Sequence, residues 1–263
     1  MSWFEQATAV EKVTDDLWRG EIHPGWRIGQ VPNGGYVLAI AGRALAEALP
    51  HPDPLTVHIL YTAPTELGPV DCHIERLRSG GSTTHATLAM RQEGVLKAQV
   101  TACYSDLEAL DGESWSIVQR PEVPPIEEVT PVGVHGIEFR ESVNQHYSRG
   151  GEVFRRGEPE GSGVFEGWLS QVDGADPGVL GLLLYADAMA PPVFTVYGPL
   201  QWVPTLELSV QLRARPAPGP VQARFRSRYM SHGVVDEDGE LWDSEGKLVA
   251  LSRQTSKVRI RPK

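Results

Sequence analysis

An α+β fold made of two tandem copies of one unit is predicted, each unit a long apolar helix wrapped by a curled antiparallel sheet. Three observations predict it. Residues 36–49 carry only Arg43 and Glu47 as charges, so this helix has almost no solvated face and must be sheathed. Four β-rich runs follow it, at residues 55–61, 70–77, 83–91 and 95–104, divided by Pro64, Gly68-Pro69, Gly80-Gly81 and Gly94. The order of strand, helix and four strands then returns in the second half.

In chain order, residues 11–22 read as a first strand closed by the turn His23-Pro24-Gly25. Asn33 serves as helix N-cap, Gly34 and Gly35 form a bare first turn, and Pro50 stops the helix. The first unit covers residues 1–105. Residues 106–135 form an acidic linker, with Asp106, Glu108, Asp111, Glu113, Glu122, Glu127 and Glu128 against Arg120 alone and prolines at 121, 124 and 125. The second unit, residues 136–263, opens with strands at 137–141 and 164–171. Asp176 then caps a helix over 178–190 with Pro177 in its first turn, and Pro191-Pro192 end it. Strands at 206–214, 221–230, 240–243 and 247–258 complete the unit. Gly68-Pro69-Val70 matches Gly219-Pro220-Val221 at a shift of 151 (219 − 68), and Gly94 to Ala98 matches Gly246 to Ala250 at 152 (246 − 94). A near-constant offset through several elements indicates duplication.

Composition narrows the function classes. With 263 residues, 41% of them hydrophobic, the chain can bury a substantial core. No charged-then-apolar leader follows Met1 and no apolar run is long enough to span a bilayer, so a cytoplasmic protein without membrane partners is expected. Cys72 and Cys103 sit in strand-like runs with no CxxC or zinc-ligand spacing. The net charge of -10 argues against nucleic acid, although an anionic small ligand could meet positive charge gathered locally. GxSxG, Walker A, GxGxxG and HExxH motifs are absent. His58, His73, His85 and His232 read as ordinary strand and turn residues.

A helix wrapped by an antiparallel sheet and duplicated in one chain is the double-hotdog arrangement. In detail the sequence resembles the acyl-CoA thioesterase II (TesB-like) family: GGYVLAIAGRAL in the first helix, ERLRSGGSTTHATLAMRQEGVLKAQVTACY in the strands after it, LLYADA in the second helix, then TLELSVQLRARP and GKLVALSRQTSKVR. The resemblance implies a hydrolase whose catalytic residues are an aspartate on the second-half helix, a threonine at a strand start and a glutamine on the last strand, matched here by Asp187, Thr205 and Gln254.

Residue by residue, each of the three positions leaves an alternative open, for Gln254 that of a glutamine that simply satisfies a backbone group. Asp187 lies late in an apolar run, where burial and the negative helix end disfavour a carboxylate, and a residue placed against such costs often has a job; a solvent-facing last turn is the bland reading. Thr205 alone would pass for a turn residue, and Ser209 competes with it for the hydroxyl role. Alternation through Leu248, Ala250, Ser252 and Gln254 puts Gln254 on one strand face among small residues. Together the three suit water activation at a thioester, without a covalent intermediate, metal or redox cofactor, coenzyme A being part of the substrate. The region around Ala41 to Leu45 has no carboxylate, which suggests one centre per chain.

Substrate-binding candidates are Asn33, Gly34 and Gly35, whose helix-start N–H groups could meet a carbonyl or phosphate, with tight packing as the plainer role of the glycines. Arg78, Gly80, Gly81 and Ser82, with Arg76, are candidates for nucleotide phosphate. So are Arg213, Arg215, Arg224, Arg226 and Arg228, which alternate at period two and would otherwise mark a solvated face. Acyl length depends on which of Tyr36, Leu38, Trp168, Tyr185, Trp202 and Phe225 line the tunnel. The expected partner is a small-molecule acyl-CoA, and by analogy the chain forms a homodimer or higher oligomer. The competing functions are a hotdog hydratase or dehydratase, which wants an Asp/His pair, and a non-catalytic acyl-CoA binding or sensing module.

Overall fold

The computed structural model describes residues 1–132, 136–199 and 202–259. The first half runs α1 (Trp3–Ala7), β1 (Val10–Lys12), β2 (Leu17–Ile22), β3 (Arg27–Ile28), β4 (Val31–Pro32), α2 (Gly34–Ala48), β5 (Asp53–Tyr61), β6 (Gly68–Ser79), β7 (Thr84–Gln92) and β8 (Val95–Ser105). The second runs β9 (Val143–Arg149), α3 (Glu152–Arg156), β10 (Val164–Gln171), α4 (Gly178–Tyr185), α5 (Phe194–Tyr197), β11 (Thr205–Leu212), β12 (Val221–Arg226), β13 (Met230–Ser231), β14 (Val234–Trp242) and β15 (Leu248–Lys257).

All but β3 and β4 join one sheet, in the order β1-β2-β6-β7-β8-β5-β11-β15-β14-β12-β10-β9, with β13 hanging off β14. Read outward from the antiparallel β5–β11 seam, the order is the same on both sides: β8 or β15, β7 or β14, β6 or β12, β2 or β10. That symmetry is the double hotdog, two units sharing one continuous sheet.

Helix α2 behaves as its composition demands. Every residue from Gly35 to Gly42 is buried, as are Ala44 and Leu45, and each large apolar side chain so placed contributes roughly 1.5–3 kcal/mol. Asn33 caps it, its Oδ1 accepting from the Tyr36 N–H at 2.9 Å. Strand tyrosines hold its carbonyls: Tyr61 donates to Gly34 O and Tyr104 to Gly42 O, both at 2.8 Å. Its other neighbour is α4. A Cβ on Gly35 would lie 2.5 Å from Leu184 O, and one on Gly42 would lie 2.6 Å from Leu183 Cδ1. The glycines thus admit a second helix, where packing against the sheet was the expectation.

Several predicted elements shift. Residues 11–22 form a hairpin, because the polar stretch Thr14-Asp15-Asp16 turns the chain between β1 and β2. Residues 138–141 make a 3-10 turn, and the strand predicted there begins at Val143 instead. The 221–230 run breaks after Arg226, and the strand placed at 240–243 starts at Val234. Asp176 does not cap α4; it accepts the Gly219 N–H at 2.8 Å, and the cap position belongs to Pro177.

Helix α4 also ends at Tyr185, five residues early, where the Asp187 and Ala188 N–H groups bond three residues back, to Leu184 O and Tyr185 O, in place of the α-helical four. The carbonyls of Asp187 and Ala188 would need N–H groups from residues 191 and 192, and both are proline. Side chains replace them: Asn33 Nδ2 donates to Asp187 O at 2.7 Å and Gln145 donates to Ala188 O. The described part of the segment expected as a linker, residues 106–132, has one 3-10 turn at Ile126–Glu128 and is otherwise irregular and mostly exposed, residues 133–135 lying outside the described residues. It touches the second half of the sheet where Trp168 donates to Pro124 O at 2.9 Å. No helix among the described residues is long and apolar enough to cross a membrane.

Candidate active site

The early end of α4 leaves Asp187 in a tight turn pointing at the start of α2. Its Oδ2 accepts from the Gly35 N–H at 3.0 Å and from Asn33 Nδ2 at 3.1 Å. Gly34 and Gly35 are bare because nothing else fits: a Cβ on Gly34 would sit 2.8 Å from Asp187 Oδ2 and 2.9 Å from the Tyr61 hydroxyl, and one on Gly35 would meet Asp187 Cβ at 3.1 Å. The helix-start N–H groups proposed for a ligand therefore serve the protein's own carboxylate, with the positive end of the macrodipole behind them. Burial pushes the Asp187 carboxyl up to about 6, and the Gly35 and Gly34 N–H groups, Gln254 and Asn33 hold it from rising further.

Thr205 and Gln254 reach the same place from adjacent strands. Thr205 Oγ1 donates to Gln254 Oε1 at 3.0 Å, and Gln254 Nε2 donates to Glu237 Oε1 at 2.7 Å. A bulge between Thr205 and Glu207 makes this arrangement. Strict alternation would put Thr205 and Ser209 on one face; the extra residue turns Thr205 inward beside Gln254 and Leu208 and leaves Ser209 on the outer face. There Ser209 Oγ meets His58 Nδ1 at 2.8 Å, so Ser209 is not part of this cluster.

Asp187, Thr205, Gln254, Asn33, Gly34 and Tyr61 line one cavity of about 650 Å³ whose remaining wall is mainly apolar, including Val37, Phe139, Phe154, Met189, Phe194 and Trp202. Of the predicted tunnel residues only Trp202 is among them. Tyr36 is stacked on Trp26 at 4.9 Å, Leu38, Tyr185 and Phe225 are sealed in the core, and Trp168 packs under the irregular segment.

The predicted phosphate contacts lie elsewhere. The turn carrying Arg78, Gly80, Gly81 and Ser82 leads into Thr84, which pairs with Tyr104 and through it with Pro54, whereas the cavity is at the Tyr61 end of β5. Those ends are seven residues apart, roughly 20 Å. Arg76 donates to Ala48 O at the end of α2. The period-two arginines are mostly matched by carboxylates: Arg215 to Asp53, Arg224 and Arg226 to Glu240, Arg228 to Asp236 and Asp238. Alternating charges here form an ion-pair face.

Three residues of the site escaped sequence reasoning. Glu237 is buried, and burial and the nearby Asp187 charge both push its carboxyl well above the usual range. Its signal was the alternation Val235, Glu237, Gly239, Leu241, hidden when the strand was started at residue 240. Tyr61 and Arg140 carry no local signal. Among the described residues no group of three or more His, Cys, Asp or Glu side chains could hold a metal ion.

Comparison with known proteins agrees with the geometry. Residues 22–105 match a family model described as the acyl-CoA thioesterase N-terminal domain, and residues 119–258 match that of the C-terminal domain. A crystal structure of a Thermobifida fusca protein named as a thioesterase II superimposes with a TM-score of 0.90 at 28% identity, covering 99% of this chain and 98% of that one. The acyl-CoA thioesterase II TesB2 of Mycobacterium marinum shares the fold, with a TM-score of 0.76, 16% identity and 98% coverage of each chain. The thioesterase-like protein TwmA of Talaromyces wortmannii is 23% identical over 97% of this chain and 91% of its own length.

Proposed function

We infer the function from one premise: the chain belongs to the acyl-CoA thioesterase family and is a thioester hydrolase. The reading we propose is hydrolysis of an acyl-CoA thioester to free acid and coenzyme A, by a water activated directly at Asp187. The observation that carries it is the convergence of Asp187, Thr205 and Gln254 on one cavity.

Both hydrogen bonds from Asn33 and Gly35 end on Oδ2 of Asp187, which leaves Oδ1 to accept a proton from water. A carboxylate titrating near 6 is ionised at neutral pH yet basic enough to take that proton. Thr205, having given its own proton to Gln254, has lone pairs with which to orient the water. Glu237, whose carboxyl burial pushes well above its usual range, accepts from Gln254 Nε2, with the amide oxygen then facing Thr205. The water oxygen bonds to the thioester carbon, the C–S bond breaks, and the proton collected by Asp187 leaves with the thiol.

The hydratase alternative wants a histidine beside the acid, and no histidine is among the described residues lining the cavity. Thiol release from a panel of acyl-CoAs tests the reading. Asp187→Asn is expected to lower kcat by about 10²–10⁴ while the protein still binds product. Undiminished thiol release from that variant would remove Asp187 from the mechanism.

A further inference from the structure

Arg140 lines the cavity, and among the described residues it is the sole cationic side chain to do so, as Asp187 is the sole carboxylate. Its Nε donates to Gln145 Oε1 at 2.9 Å, and its guanidinium lies 5.6 Å from the centre of the Phe154 ring. Nη1 is buried with no hydrogen-bond partner, and no carboxylate among the described residues pairs with the group. Of the two acids on the same turn, Glu138 is taken by Arg27 at 2.6 Å, and Glu141, next to Arg140 but exposed, forms no salt bridge with it. Burial accordingly drags the Arg140 pKa below its ordinary value. An uncompensated cation at an enclosed wall is costly unless something supplies the missing anion.

Geometry places that anion close to the chemistry. Gln145 accepts from Arg140 and donates to Ala188 O, the residue after Asp187. Two hydrogen bonds and one amide therefore connect the guanidinium to the reactive turn, a path on the order of 8 Å. Ile137, Phe139, Phe154 and Phe194 line the same cavity and suit hydrocarbon.

We propose that the acyl group accepted here is short and carries a carboxylate at its far end, held by Arg140, while its thioester carbon lies at Asp187. The preferred substrates are then monothioesters of dicarboxylic acids, recognised by the guanidinium charge through its Nη2 donors, since Nε is held by Gln145 and Nη1 is buried. The kinetic part of this inference rests on the hydrolase reading above.

The test compares glutaryl-CoA with valeryl-CoA, which have acyl chains of equal length, in wild type and in Arg140→Met and Arg140→Lys. Wild type is expected to favour glutaryl-CoA in kcat/KM by about tenfold or more, Arg140→Met to erase or invert that ratio, and Arg140→Lys to fall between. A wild-type ratio near one, or a ratio that Arg140→Met leaves alone, overturns the proposal; the wild-type ratio decides even if the methionine variant does not fold. Thermal-shift titrations with free glutarate, valerate and coenzyme A separate the two readings. Failure of every thioester to release thiol removes the hydrolase reading, while glutarate raising Tm in wild type and not in Arg140→Met still supports the anion site. Stabilisation by coenzyme A that is lost in Arg140→Met, with none by glutarate, would assign the guanidinium to phosphate and refute the dicarboxylate assignment.

Discussion

Glu237, Gln254 and Leu208 are paired across β14, β15 and β11 in the second half of the chain; Ala86, Ala102 and Val57 are paired across β7, β8 and β5 in the first. The two sets occupy the same places in the repeated sheet. The bulge after Thr205 has its counterpart after Pro54, so the register device survives in both halves while the polar side chains survive in one. Where Asp187 touches the start of α2, the other end of the helix pair brings Gly42 against Leu180 and Leu183. Duplication thus supplied two frames, and alanine and leucine fill one of them. Burying an acid and two amide-linked partners costs stability unless each is satisfied. A chain with one such cluster carries that cost once.

The helix pair gives the largest expected contrast. A methyl on Gly35 collides with backbone, Leu184 O at 2.5 Å and Leu183 O at 3.0 Å, whereas a methyl on Gly42 meets the movable tip of Leu183. Gly35→Ala is expected to lower stability by about 1–3 kcal/mol and to cut kcat/KM by roughly a hundredfold, because the N–H that holds Asp187 moves with the helix. Gly42→Ala should cost less stability and leave turnover nearly intact. Equal activity losses in urea-stable preparations of both variants would show that the two ends of the helix pair are not functionally distinct.

A smaller effect separates the two faces of β11. Thr205→Val removes the hydroxyl that bridges to Gln254 at an estimated cost of about 1–2 kcal/mol in the transition state, near tenfold in kcat. Ser209→Ala breaks only an outer-face contact with His58 and should change kcat less than twofold. The reverse ranking, measured by thiol release, would mean that the bulge does not turn Thr205 inward in solution.

Legibility followed periodicity. Helix α2 was readable from its cap, its bare first turn and Pro50, since each acts locally. Asp187 was readable as an acid in the wrong company. Thr205 against Ser209 was not, because a one-residue bulge inverts facing without leaving a mark in composition. Arg140 and Tyr61 were invisible for a different reason: what distinguishes them is which distant side chains they meet or fail to meet. Arg78 and the glycines after it looked like a ligand loop, yet strand length carries them to the far end of the sheet.

A contrast that leaves turnover aside is a stability difference that grows with pH, because only one half buries the working acid. Burial raises the Asp187 carboxyl from 3.8 to about 6, so the folded state prefers it protonated. The sign follows from that preference: the associated stability is fully present below about 4 and is lost as pH climbs through about 6, after which it stays lost. Asp187→Asn cannot ionise and escapes this loss. Relative to wild type it is expected to gain, between pH 4 and pH 8, an amount on the order of 2 kcal/mol, with nearly all of the change below pH 7. Calorimetry of both proteins across that range measures it. Hydrogen bonds lost in the variant offset both ends equally and do not affect the slope. A Tm difference that is flat with pH would mean that Asp187 is solvated, and the acid limb expected in wild-type kcat/KM near pH 6 would then have to belong to another group.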